Sequence, residues 1–308
     1  MTTLAMLLKS YEGDHALASR LIASFTAHNV TGIPLYCVVP EADVALFTPL
    51  ASEHVTVMAE TPLADHFVTE PLHGIRIGYI NQEIVKLSFH ELGLADNYFC
   101  VDSDAVFVRD FTPADFIAPD GYPYTVLVED NELKVEPRYY REYWQPREQH
   151  LRTIANTIEL DDPVIRSCHG HQVFSAAVLR SFVGDFLAPR GWTYRDALAV
   201  APYEFSWYSL WLQKAQTIPI HQREPLVKVF HNEDQHLEYI LRGVTEADIA
   251  RGYLALVVNS NFAREVSPTA IGAGKPQALA PYLSYGEVAS LLNTKARDTL
   301  RRRLRRQG

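Results

Sequence analysis

Residues 98–108 read YFCVDSDAVFV: an apolar run, two carboxylates one residue apart at Asp102 and Asp104, then a second apolar run. This is the pattern of a buried strand, an acidic turn and a further strand. Just before it, GYINQEIVKLSFHELG (78–93) carries Ile80, Ile84, Val85, Leu87 and Leu92 on one side and stops at Gly93, as an amphipathic helix does. Outward toward the N-terminus the rhythm repeats. LAMLLKS (4–10) reads as a strand buried on both faces, HALASRLIASFTAHN (15–29) as a helix, IPLYCVVP (33–40) as the next strand, and VALFTPL and HVTVMAE (44–60) as a short helix and a third strand. Strand and helix in alternation predict an α/β chain whose central sheet is mainly parallel, with helices on both faces.

Beyond residue 120 the pattern loosens. PYTVLVED (123–130) is strand-like, and 133–158 is polar, aromatic and helical in part. QVFSAAVLRSFVGDFL (172–187) reads as an opening helix, EFSWYSLWLQKA (204–215) as a helix rich in aromatics, and PLVKVFHNEDQ (225–235) as a strand ending in a polar turn. No repeat or Gly/Ser linker divides the chain, which predicts one domain over 1–284 followed by a basic tail over 285–308.

With 47% apolar and 21% charged residues, the 308-residue chain has the composition of a folded globular protein. Its three cysteines, Cys37, Cys100 and Cys168, have neither the pairing of a disulfide framework nor the spacing of a zinc site, and a reducing compartment is expected. The formal net charge is −9, although 295–308 (KARDTLRRRLRRQG) holds seven Lys/Arg against one Asp. The remainder is therefore strongly acidic, which argues against nucleic-acid binding. The opening MTTLAMLLKSYEGD has no basic stretch before its short apolar run, so it reads as a first strand and not a secretory signal. A cytoplasmic location is the expectation.

Carboxylates delivered at the carboxyl end of a parallel strand stand where α/β sheets bind ligands. Mg²⁺ or Mn²⁺ takes hard oxygen ligands and commonly bridges carboxylates to phosphates, so Asp102 and Asp104 are candidate ligands for such an ion. The same tripeptide also occurs as an ordinary solvated turn.

The stretch INQEIVKLSFHELGLADNYFCVDSDAVFVRDF (80–111) resembles the helix-to-strand segment of GT-A glycosyltransferases, in which a Lys-bearing helix precedes a strand ending in the acidic motif. It is most similar to a group of bacterial glycosyltransferases of undetermined substrate. A weaker likeness runs from KSYEGD (9–14) to VFHNEDQ (229–235). The resemblance implies a GT-A (nucleotide-diphospho-sugar transferase) fold and a metal-dependent transfer from a nucleotide-sugar donor, most often a UDP-sugar. It implies Asp104 as principal metal ligand, Asp102 on the ribose or a metal-bound water, and His231 as a third ligand, although Asn232 and Glu233 follow it where a Lys or Gly is usual.

By the same resemblance Lys9, Ser10 and Tyr11 end the strand that meets base and ribose, with Gln82, Lys86 and Ser103 completing the nucleotide set. Gln82 and Lys86, four apart, share a helix face. SCHGHQVFSAAVL (167–179) resembles the segment beneath the donor sugar, which makes His169, Gly170, His171 and Gln172 sugar candidates. Glu204 opens the aromatic helix and is the candidate general base for the acceptor hydroxyl, with Trp207 as a sugar platform. Each also has a structural reading: a helix-opening carboxylate and a core aromatic.

The tail YGEVASLLNTKARDTLRRRLRRQG (285–308) draws as a basic amphipathic helix suited to an anionic membrane surface. A glycan or lipid-linked acceptor, in surface polysaccharide synthesis at the inner face of the membrane, would suit such a tail. Two other readings are open. One is an Asp-x-Asp phosphohydrolase, which usually places the motif after its first strand; here about 100 residues precede it. The other is a nucleotide-sugar-binding protein without turnover.

Overall fold

The computed structural model describes residues 3–127, 141, 145–161, 163, 171–230, 236, 239, 243–259 and a few positions between 289 and 297. In chain order the regular elements are β1 (Leu4–Lys9), α1 (His15–His28), β2 (Leu35–Val39), α2 (Val44–Phe47), β3 (Val55–Ala59), α3 (Ile77–Ser88), β4 (Asn97–Val101) and β5 (Ala105–Phe107). There follow β6 (Tyr124–Thr125), α4 (Gln145–Thr157), β7 (Val173–Ser175), α5 (Ala176–Ser181), α6 (Tyr194–Val200), α7 (Glu204–Ala215), β8 (His221–Gln222), β9 (Val227–Phe230), α8 (Glu246–Ile249) and β10 (Ala255–Val258).

The chain forms two compact units. The first comprises Met1–His15, Asn29–Asp102 and Phe111–Pro225, and the second Ala16–His28, Ser103–Asp110 and Leu226–Gly308.

The first unit is built on a five-stranded sheet in the order β3-β2-β1-β4-β7. The pairs β3–β2, β2–β1 and β1–β4 are parallel, and β7 closes the edge antiparallel to β4. This is the mainly parallel sheet that the strand–helix rhythm predicts. All six residues of β1 and all five of β4 are buried, so these central strands are covered on both faces. On one face Ala5, Leu7, Tyr98 and Cys100 join Ile80, Ile84 and Leu87 of α3 and the aromatics of α7 in a single core. That core is aromatic: Phe174 stacks on Tyr208 at 4.3 Å, and Trp207 lies against Phe182 and Phe186 at 5.7 and 5.9 Å. Burying such rings removes a large apolar area from water.

The polar ends of these aromatics are satisfied. Tyr98 Oη donates to the Lys86 carbonyl at 2.7 Å, and Tyr208 Oη accepts from the Ser175 N–H at 2.9 Å. Cys37 and Cys100 are free and buried, and burial pushes the Cys37 thiol up to about 12. They pack as small apolar groups, as their strand context predicts; Cys168 lies outside the described residues. α3 runs into a 3₁₀ turn (Phe89–Leu92) and ends at Gly93, whose φ of 66° is the left-handed geometry glycine adopts freely.

One element differs from expectation. In the segment 172–187, Val173–Ser175 form a strand and the helix begins only at Ala176. The edge of β4 needs hydrogen-bond partners, and the β-prone Val-Phe pair supplies them, which outweighs the helical spacing.

The second unit has a three-stranded sheet, β5-β10-β9, with β10 antiparallel to β5 and parallel to β9. Phe25 of α1 meets Phe107 edge-on at 6.0 Å, and Ser24 Oγ accepts from the Phe107 N–H at 3.0 Å. Phe230, Ile249, Leu256 and Val258 form a second small core. Among the described residues no helix is long and apolar enough to cross a membrane. Most of the tail 285–308, with its expected membrane face, lies outside the described residues.

Candidate functional site

The register of the first sheet determines what meets at its carboxyl edge. Leu8 pairs with Val101 and Val39 with Ala59, so the residues that follow β1, β2, β3 and β4 emerge along the same edge. Ser10, Pro40, Glu60 and Asp102 are those residues, with Lys9 closing β1. The strand order reverses at β1, which places this edge at a topological switch point, where open α/β sheets bind ligands.

A pocket of about 270 Å³ lies there, lined by Lys9, Ser10, Tyr11, Pro40, Glu60 and, from the start of α3, Arg76, Gly78, Tyr79, Asn81 and Gln82. Four of the residues expected to meet the nucleotide, Lys9, Ser10, Tyr11 and Gln82, therefore share one cavity. Lys9 is fixed in its wall: Nζ is 2.9 Å from Glu60 Oε2 and 2.8 Å from the Ser10 carbonyl. The Tyr11 ring lies over Gly13 so closely that a β-carbon there would stand 2.5 Å from it. Tyr11 and Tyr79 are 37% and 41% exposed, so both offer ring surface to a planar ligand. Asn81 is committed elsewhere, its amide bonded to the N–H and carbonyl of Val68 at 2.9 and 3.3 Å.

Gln82 connects this lining to a buried ion-pair network. Lys86 Nζ lies 2.9 Å from Asp102 Oδ1 and 3.0 Å from Glu204 Oε1, and 4.7 Å from the centre of the Phe205 ring. Gln82 Nε2 donates to the same Asp102 oxygen at 3.3 Å, which links the pocket lining to the acidic motif. His171 Nε2 stands 3.7 Å from the other oxygen, Oδ2. Burial opposes the charge on Lys86, but the carboxylates of Asp102 and Glu204 more than offset it and hold the ammonium protonated well above the ordinary lysine range. Burial likewise opposes ionisation of Asp102; Lys86, then His171 and the bonds from Lys86 and Gln82, still hold it below the usual carboxylate value. His171 has a φ of 145°, a conformation that side-chain-bearing residues rarely adopt.

Glu204 occupies a different place from the one expected of an acceptor-facing base. It is buried at 6% exposure, and its carboxylate is held in the ion pair with Lys86, so it acts as a second anchor for that lysine. Trp207 is a core residue and offers no sugar platform. It is fully buried, ringed by Phe182 and Phe186, and its indole N–H donates to the Ala201 carbonyl at 2.9 Å. Gln172, 1% exposed, accepts from Ser209 Oγ at 3.2 Å, and its carbonyl accepts from the Cys100 N–H. Gln172 therefore ties β4 to α7. His169, Gly170 and His231 lie outside the described residues.

Ser103, buried, and Asp104, half-buried, belong to the second unit. For the expected cation, the first unit supplies Asp102, whose Oδ1 is taken by Lys86 and Gln82 and whose Oδ2 is the oxygen those two leave. Among the described residues no three His, Cys, Asp or Glu side chains gather as a ready metal cluster.

Reading the sequence alone missed Arg76, Tyr79, Glu60 and Glu83. Arg76 and Tyr79 were legible in principle, because a helix that delivers Gln82 and Lys86 to a strand edge brings its own first turn to the same edge. Glu83 is 2% exposed, and neither carboxylate oxygen has a hydrogen-bond partner among the described residues. Burial, then the charge of Glu204, pushes its carboxyl well above the normal range.

Among solved structures the chain is similar to mouse xyloside xylosyltransferase 1, at 9% identity and a TM-score of 0.45 over 84% of this chain and 99% of that one. It is also similar to the WbbM bifunctional glycosyltransferase, at 12% and 0.48 over 83% of this chain and 45% of that one. A third likeness is to the galactosyltransferase LgtC in complex with donor and acceptor sugar analogs, at 14% and 0.46 over 86% and 88%. No curated protein matches the sequence. Residues 3–243, most of the length, match a family described as of unknown function, and the chain therefore belongs to that family, DUF6492.

Proposed function

We propose that this chain is a glycosyltransferase that binds a nucleoside-diphosphate sugar in the pocket at the carboxyl edge of β1–β3. The observation that carries the reading is Gln82, which lines the pocket and also bonds Asp102 of the acidic motif. A ligand seated against Tyr11 and Tyr79 thus extends directly toward Asp102. Stacking on a tyrosine suits a nucleobase, the Arg76 guanidinium suits a phosphate, and Asp102 Oδ2 suits a ribose hydroxyl. A uridine donor is the leading choice.

In the reaction the bond between the anomeric carbon and the diphosphate oxygen breaks, a bond to the acceptor oxygen forms, and the acceptor hydroxyl's proton passes to the departing diphosphate or to water. Negative charge grows on the departing diphosphate, and fixed cations nearby lower the barrier. Arg76 faces that charge. Lys86, clamped by Asp102 and Glu204, keeps Asp102 ionised and oriented as an acceptor. A Mn²⁺ or Mg²⁺ ion would add further positive charge as a Lewis acid, with Asp104 as its principal ligand by sequence. A glycan or lipid-linked acceptor, surface polysaccharide synthesis and contact of the tail 285–308 with an anionic membrane complete the proposal.

A thermal-shift screen of nucleotide sugars, with and without Mn²⁺, tests it. A ligand that binds the native state raises Tm by mass action, so a UDP-sugar should raise it most, and more so with metal. Transfer of that sugar to an acceptor would follow. No shift with any nucleotide at millimolar concentration contradicts the reading.

A further inference from the structure

Next to this pocket, within the same unit, lies a group of side chains that the donor reading does not use. Tyr203 caps the start of α7, directly before Glu204. The Arg147 guanidinium lies over its ring at 5.1 Å, and the His150 ring meets it at 5.3 Å with 61° between the planes. Arg147 and His150 stand one turn apart on α4. All three are half-buried, so each keeps an accessible surface. His73, with a φ of 52°, is anchored through Nε2 to the Ala199 carbonyl; burial, then the nearness of His73, disfavours protonation of His150.

A second, independent feature adjoins this group. Glu83 senses the charges of both Glu204 and Arg147, and its buried carboxyl has no hydrogen-bond partner among the described residues. An unsatisfied buried carboxyl is costly, and native proteins retain few of them. On α3 it stands four residues after Tyr79 and three before Lys86, a spacing that puts all three on one side of the helix.

We propose that Tyr203, Arg147 and His150 form the acceptor subsite, taking a sugar ring that bears an acidic group, either carboxylate or phosphate. The ring rests against Tyr203, Arg147 forks the acid's oxygens, and the imidazole of His150 adds a hydrogen bond. Glu83, its carboxylate oxygens closed off from the surface, makes no direct contact with the ring. In a chain of net charge −9, a basic aromatic cluster of this kind selects an anion by local contacts and not by overall field. The inference rests on the transferase reading for the word acceptor, but not for the binding itself.

The test is saturation-transfer NMR on the full chain with UDP at saturation. The probes are methyl glucoside, its 6-phosphate and methyl glucuronide. The two acidic sugars should bind in the presence of UDP and the neutral one should not; which acid binds more tightly identifies the acceptor's chemistry. In the Arg147→Gln/His150→Gln double variant their binding should weaken at least about tenfold, with UDP affinity and Tm unchanged. Equal binding of neutral and acidic sugars, displacement by UDP, or undiminished binding in the double variant would overturn the proposal. Calorimetry with UDP alone reports separately on the donor pocket, so a failure there is not confused with a failure here.

Discussion

The Lys86 ammonium stands 2.9 Å from Oδ1 of Asp102, and this contact joins the helix that lines the pocket to the strand that ends in the acidic motif. Glu204 holds the same ammonium from the opposite element at 3.0 Å. One buried cation thus satisfies two carboxylates.

Replacing Lys86 takes the shared counter-ion from both carboxylates at once. Lys86→Met should destabilise the fold by about 3 kcal/mol, because buried Glu204 is left without its counter-charge. Adding Glu204→Gln should restore much of that loss by removing the stranded charge. Chemical denaturation of the wild type, both single variants and the double variant checks this; additive losses in the double variant would contradict it.

Glu83 gives a pH dependence of definite sign. Burial, then the charge of Glu204, pushes its folded-state carboxyl well above the usual carboxylate range, so folding favours the protonated form. Stability is therefore greatest below about 4.5 with respect to this group and declines as pH rises through the folded value. Glu83→Gln keeps the shape and removes the titration, so it should raise Tm near neutral pH and lose that advantage in acid. Melting curves from pH 4 to 8 check the crossover.

The order of the first three strands, the helix over 78–93 and the acidic turn after β4 were legible because each is a strong local pattern: an apolar run, a 3.6-residue stripe, a glycine stop. Lys9, Ser10, Tyr11 and Gln82 were legible through the resemblance together with strand ends. What was not legible depends on partners far along the chain. Nothing local tells that the β4 edge takes up Val173–Ser175, nor that Lys86 meets Glu204, 118 positions away. Trp207 and Glu204 share one helix, and only packing decides that the first is core and the second an anchor. The φ of 145° at His171 has no sequence signature either, since a histidine does not favour that conformation.

Trp207→Ala should cost about 3–5 kcal/mol, the range for emptying a large aromatic site. Trp207→Phe should recover part of that while leaving nucleotide binding intact. Urea midpoints beside UDP titrations check both; a selective loss of sugar binding in a stable Trp207→Phe protein would return Trp207 to the site.

The pocket itself is tested most directly at Gly78, which lies in its lining at the start of α3, where an added β-carbon meets nothing within 4 Å. Gly78→Ala should be tolerated or stabilise the helix by a few tenths to about 1 kcal/mol. Gly78→Phe projects a ring into the open space beside Tyr79 without disturbing the core. Isothermal titration of the wild type and both variants with UDP, in Mn²⁺, is the decisive measurement. Binding by the wild type and Gly78→Ala with at least about a tenfold loss in Gly78→Phe is the predicted result. A wild type that binds no nucleoside diphosphate, or a Gly78→Phe protein that binds UDP as well as the wild type does, would contradict a donor pocket at this edge.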